Sequence, residues 1–78
     1  MDLDIDWNVT IKKEARGIDD DDLGEIQGIT ETNIITKVGR VDKETYSIPK
    51  RLADKFDGHK VWFRITKEEA KSQYKIDE

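Results

Sequence analysis

The chain has 78 residues, of which 41% are charged and 35% apolar, and a formal net charge of −4. A domain this short buries only about 60% of its unfolded surface, so its core is thin and leaves little room for a deep enzyme pocket. Cysteine is absent, which excludes disulfides, zinc knuckles and iron–sulfur clusters and predicts a reducing, cytoplasmic setting.

No apolar run approaches the roughly 18 residues of a membrane span, so membrane insertion is not expected. The opening MDLDIDWN is acidic and lacks the basic and apolar regions of a signal peptide. The charge is unevenly spread. Residues 1–31 carry ten acids and three bases, whereas residues 32–64 carry eight bases and four acids. Such a split fits solvated faces, association through opposite patches, or a local nucleic-acid patch on an acidic domain.

Residues 1–8 alternate acid and apolar side chains and read as an acidic arm whose Trp7 docks on the body. Val9 and Ile11 alternate with Thr10 and Lys12, which predicts a short strand. Ala15 to Leu23 reads as a long turn filled by Asp19, Asp20, Asp21 and Asp22, four like charges that belong in water. A strand from Glu25 to Thr30 follows Gly24, and Gly28 between Ile26 and Ile29 predicts a bulge. After the turn Glu31-Thr32-Asn33, the β-branched run Ile34, Ile35, Thr36 and Val38 predicts another strand. Gly39 to Lys43 reverses the chain into a strand at Thr45–Ile48, with Tyr46 and Ile48 on one face and Pro49 ending its ladder.

From Pro49 to Phe56 the period changes. Leu52 and Phe56 stand four apart, which predicts one or two helical turns before Asp57-Gly58. Lys60 to Thr66 is the clearest strand, with Val61, Phe63 and Ile65 alternating with Lys60, Trp62, Arg64 and Thr66. Thr66 and Glu69 then form a capping box for a helix from Lys67 to about Tyr74, with Ala70 and Tyr74 facing the body. The reading is mainly β: a small barrel of five or six short strands, a short helical connection and a C-terminal helix. The domain spans residues 9–74, between the arm at 1–8 and a tail at 75–78.

The ordered set of motifs resembles the PRC-barrel superfamily. Glu14-Ala15-Arg16-Gly17 leads through an acidic turn into Leu23-Gly24-Glu25-Ile26, similar to the family's first strand, charged turn and second strand. Tyr46-Ser47-Ile48-Pro49-Lys50 resembles the segment before its short helical connection, and Asp57-Gly58-His59-Lys60-Val61-Trp62-Phe63 its closing strand. Thr66-Lys67-Glu68-Glu69-Ala70 resembles the terminal-helix opening of short archaeal stand-alone members. The resemblance spans roughly residues 9–74. It implies a non-enzymatic adapter fold, of the kind found in photosynthetic reaction centres, in a ribosome maturation factor and in archaeal cell-division assemblies. Several such proteins dimerise. The family has no universal functional residue to carry over.

The residues themselves offer no catalytic signature. His59 is the single histidine; it follows Asp57-Gly58 and reads as a solvated turn residue. Ser47 and Ser72 sit in no nucleophile motif. An EF-hand register from Asp19 places Asp21 and Gly24 suitably, but Leu23 and Thr30 fall where oxygen ligands are needed, so no metal site is expected. No phosphate-cradling glycine motif occurs, and no cofactor is expected.

Trp62 is the informative side chain. With Val61, Phe63 and Ile65 inward, Trp62 points outward with Lys60 and Arg64 as a candidate partner-binding row. Cover by the terminal helix or the arm is the competing reading, and base stacking a third. Lys50, Arg51 and Lys55, with Lys37 and Arg40 flanking the preceding turn, form a candidate basic patch. The expectation is a protein–protein adapter without enzymatic activity, its partner another protein or a second copy. The alternative is RNA- or ribosome-linked binding through the basic middle.

Overall fold

A computed structural model describes residues 5–39 and 43–76. The described chain forms one seven-stranded sheet: β1 Glu14–Arg16, β2 Asp22–Ile29, β3 Asn33–Val38, β4 Glu44–Pro49, β5 Ala53–Phe56, β6 Lys60–Phe63 and β7 Lys75–Ile76. The spatial order is β5-β6-β1-β2-β3-β4-β7. All neighbours are antiparallel except β1 and β6, which run parallel with Ala15 opposite Val61 and Arg16 opposite Trp62. The hydrogen-bonded ladder ends at β5 on one side and β7 on the other, so the sheet is open rather than clearly closed into a barrel. A short helix, α1 Lys67–Glu69, continues as a π-helical turn, Ala70–Tyr74.

The sheet is bent by bulges, which add a residue to one strand and increase its local twist. The expected one lies between Ile26 and Gly28 on β2, against β3. Two more, at the junctions Ala15/Arg16 and Ala53/Lys55, were not legible. Gly24 meets the bent backbone with φ +100°, and a Cβ there would sit 2.6 Å from the carbonyl oxygen of Lys37. Only glycine satisfies both conditions at once.

The core gathers Leu23, Ile26, Ile34, Tyr46, Ile48, Val61, Phe63 and Ile65, with the small residues Ala15, Ala53 and Ala70 between them. Leu52 packs against this core only half-buried. Two polar groups drawn into this core find the partners that burial demands. The Thr36 hydroxyl donates to the Leu23 carbonyl at 2.7 Å, and the Tyr46 hydroxyl donates to Glu44 Oε1 at 2.6 Å. Burial, with the Glu44 carboxylate beside it, pushes the Tyr46 phenol well above its ordinary range.

Four expected elements are corrected. Val9–Ile11 is not a strand: Trp7–Thr10 is a 3-10 turn in which Thr10 is buried, while Val9 is 52% and Ile11 37% exposed. The Asp6 carboxylate accepts from the Asn8 N–H, and the Thr10 hydroxyl donates to the Trp7 carbonyl at 2.6 Å. Such local bonds compete with ladder formation. Ile5 and Trp7 pack partly buried against the core; residues 1–4 of the expected arm lie outside the described residues.

The helix expected over Pro49–Phe56 is a single 3-10 turn, Lys50–Leu52, followed by strand β5. A spacing of four is even, so Leu52 and Phe56 fit a period of two as well as one of 3.6. Two backbone bonds decide for the sheet: Lys50 N–H to the Thr32 carbonyl at 2.8 Å, and Arg64 N–H to the Leu52 carbonyl at 2.9 Å. At the other end, residues 75–76 of the expected tail form β7, paired with Thr45 and Tyr46 of β4.

The long turn expected over Ala15–Leu23 is also shorter, because Ala15–Arg16 belongs to β1 and Asp22–Leu23 to β2. Nor is its acidic run uniformly free in solvent. Thr66 and Glu69 form the expected capping box, each side chain accepting from the other's backbone N–H at 3.1 Å. Asp21 adds a second cap: its Oδ2 accepts from the Lys67 N–H at 2.8 Å. Asp22 Oδ1 accepts from Gly24 N–H at 2.9 Å, and its carbonyl from Lys67 Nζ at 2.8 Å. Asp21→Ala is therefore expected to cost about 1 kcal/mol, the usual value of a lost cap, whereas Asp19→Asn leaves stability unchanged. Urea denaturation of the two variants checks the contrast.

Candidate partner-binding surface

The β5–β6 hairpin turns at Asp57-Gly58, and the Asp57 side chain organises it. Asp57 Oδ1 accepts from the backbone N–H groups of His59 and Lys60, both at 2.8 Å. Asp57 Oδ2 accepts from the Trp62 indole N–H at 3.1 Å. The backbone bonds from His59 and Lys60, with the indole bond added, hold the Asp57 carboxyl well below the usual carboxylate range. His59 itself is exposed on this turn.

On β6, Val61 and Phe63 are buried, Trp62 is half-buried and Arg64, just past the strand, is exposed. The alternation read from the sequence thus holds, with Trp62 on the outer face. What partly covers the indole is its own hairpin. Lys55, its cross-strand partner, places Nζ 5.7 Å from the ring centroid, within cation–π range. The π-helical turn instead lies against β4, and Trp7 of the arm carries the Lys50 ammonium at 5.6 Å. Beside Trp62, Arg64 Nε lies 3.5 Å from Asp54 Oδ1, with both side chains more than half exposed.

These residues form one wall of a cleft of about 540 Å³. The tight turn Ile18–Asp20, with Gly17 before it, and Phe63 complete its lining. Ile18 is 45% exposed there. The turn is fixed to the body by the Ile18 N–H, which donates to the Ile65 carbonyl at 2.8 Å, and by the Gly17 N–H, which donates to the Asp21 carbonyl at the same distance.

Of the expected row, Trp62 and Arg64 line this cleft and Lys60 does not. Lys60 lies two residues back on β6, opposite Glu14, with its N–H and carbonyl both bonded to Asp57. Ile18, Asp54 and Asp57 belong to the site and escaped the sequence reading. The Asp57-Gly58 turn dipeptide was the one available signal for Asp57, since aspartate at such a turn bonds the backbone that follows it.

Among the described residues, the members of the expected basic patch stand on different elements. Lys50 and Lys55 each sit on a different indole, and Lys50 Nζ also donates to the Glu31 carbonyl at 3.3 Å. Arg51 is exposed on the turn between β4 and β5. Lys37 stands on β3 four residues beyond Asn33, which pairs with Pro49; at strand rise that is about 13 Å along the sheet from the Lys50 turn. Arg40 lies outside the described residues.

No protein-family model, curated protein or solved structure matches this chain. No helix among the described residues is long and apolar enough to cross a membrane.

Proposed function

We propose that this chain is a non-enzymatic protein–protein adapter of the PRC-barrel type, serving in a cytoplasmic division or membrane-associated scaffold. The observation that carries the reading is Trp62. It is a large aromatic side chain on the outer face of a strand, left half-exposed at a cleft and held in one orientation by Asp57. Tryptophan and arginine dominate binding energy at protein interfaces, because they offer much area at small entropic cost. A ring fixed before binding loses still less on association. The resemblance of residues 9–74 to PRC-barrel proteins supports the same class of role, as does the mainly β sheet with its short C-terminal helix.

The test compares tagged wild-type chain with Trp62→Ala in capture from native lysate, with captured proteins identified and re-titrated individually. Sedimentation covers self-association. Trp62→Ala is expected to keep a cooperative melt and to weaken association by about 2 kcal/mol or more. Equal capture and equal self-association by the two chains would overturn the reading.

A further inference from the structure

The acidic run is divided by its backbone into two pairs with different work. Asp19 and Asp20 have φ of 60° and 64°, the left-handed region that aspartate tolerates better than most residues. Beyond them, Asp21 and Asp22 are committed to the Lys67 and Gly24 N–H groups. Asp19 and Asp20 instead stand on the cleft wall.

The charges of the cleft do not cancel. Its two cations are engaged on the chain itself, Lys55 on the Trp62 ring and Arg64 on Asp54. Asp19 has no ion-pair or hydrogen-bond partner among the described residues. The Asp20 carboxylate is mostly exposed and reaches Arg16 only at 3.8 Å, while that guanidinium is hydrogen-bonded more closely to Glu14. Asp19 is therefore the unpaired charge of the cleft, and with the ion-paired Asp20 it stands on the turn that carries the exposed Ile18 side chain.

Resting on the adapter reading, we infer that this cleft receives a lysine or arginine side chain from a basic segment of the protein partner. The two parts of such a side chain match the two parts of the cleft. The aliphatic stem lies between Ile18 and the Trp62 ring, and the cationic head meets Asp19 and Asp20. The indole accepts cations in this fold already, since Lys55 occupies one such position. The charged side chains lining the cleft, Asp19, Asp20 and Asp54 against Lys55 and Arg64, leave it net negative, which favours a cationic over an acidic occupant. Exposed ion pairs are individually weak and screened by salt, so several basic residues in one segment are expected to contribute.

Trp62 fluorescence in a Trp7→Phe background supplies the readout. The probes are a short capped peptide of alternating lysine and glycine, its arginine counterpart, and a glutamate peptide of equal length. A saturable change with the basic peptides, weakened about tenfold in Asp19→Asn/Asp20→Asn and weakened by added salt, is the expected result. Asparagine also tolerates the left-handed backbone, so this double variant is expected to fold, and its melt verifies that. No saturable change with either basic peptide, an equal or stronger response to the glutamate peptide, or unchanged binding by the double variant would overturn the inference. Lysate capture separates this failure from that of the adapter reading. Partners lost by Trp62→Ala but retained by Asp19→Asn/Asp20→Asn leave the adapter standing and remove the cationic contact. Partners retained by Trp62→Ala remove the adapter reading itself.

Discussion

Gly17→Ala is expected to destabilise the domain by about 3 kcal/mol or more, at the upper end of what overpacking costs. A Cβ on Gly17 would press into the backbone carbonyl of Ile65, with Leu23 Cδ1 close on another side. Backbone cannot rotate away as a flexible side chain can. The same Ile65 carbonyl accepts the Ile18 N–H at 2.8 Å. Relief of the clash would therefore break the bond that fixes the cleft-forming turn, just past the parallel β1–β6 pair. Thermal or urea unfolding of Gly17→Ala checks this. A midpoint within experimental error of wild type would show that the turn and the Ile65 bend are not in contact.

Phe63→Ala is expected to cost about 3–5 kcal/mol, the transfer term of the ring together with the cavity it leaves. Phe63 is 2% exposed and lies opposite Ala53 on β5, too small a neighbour to fill the space. A chain of this length has a total stability of roughly 4–12 kcal/mol, so the variant is expected to lose a large share of it and to melt far below wild type. Thermal melting followed by near-ultraviolet circular dichroism is the checking measurement. A melt close to wild type would mean that β6 presents Trp62, not Phe63, to the core.

The readable elements share one property: their signals are local and two kinds agree. Alternation and β-branching coincide at β3 and β4, and the turn Asp57-Gly58 precedes a strict alternation at β6. The capping box at Thr66 and Glu69 is likewise a contact between near neighbours. The misread elements depend on distant partners. β5 is a strand because Lys50 and Leu52 bond to Thr32 and Arg64, and nothing within residues 49–56 encodes that choice. β7 exists because β4 offers its free edge at Thr45 and Tyr46.

The same division applies to the cleft. Trp62 and Arg64 were legible from the parity of one strand. Ile18, Asp19 and Asp20 join them only because β1 pairs in parallel with β6, a contact across more than forty residues. The four consecutive aspartates looked alike as a charge run. Their separation into cleft-lining and helix-capping pairs follows from two left-handed residues and a hydrogen bond to Lys67, and neither has a signature in composition.

The central claim is that the β5–β6 hairpin and the Ile18–Asp20 turn together form the binding face. Amide hydrogen exchange of the chain, alone and in complex with a partner captured by the wild type, tests it most directly. The predicted result is slowed exchange in the complex across residues 17–20 and 53–64, with β3 and the middle of β4 unchanged. Protection confined to β3, β4 or the terminal helix, with residues 17–20 and 53–64 exchanging as in the free chain, would contradict it.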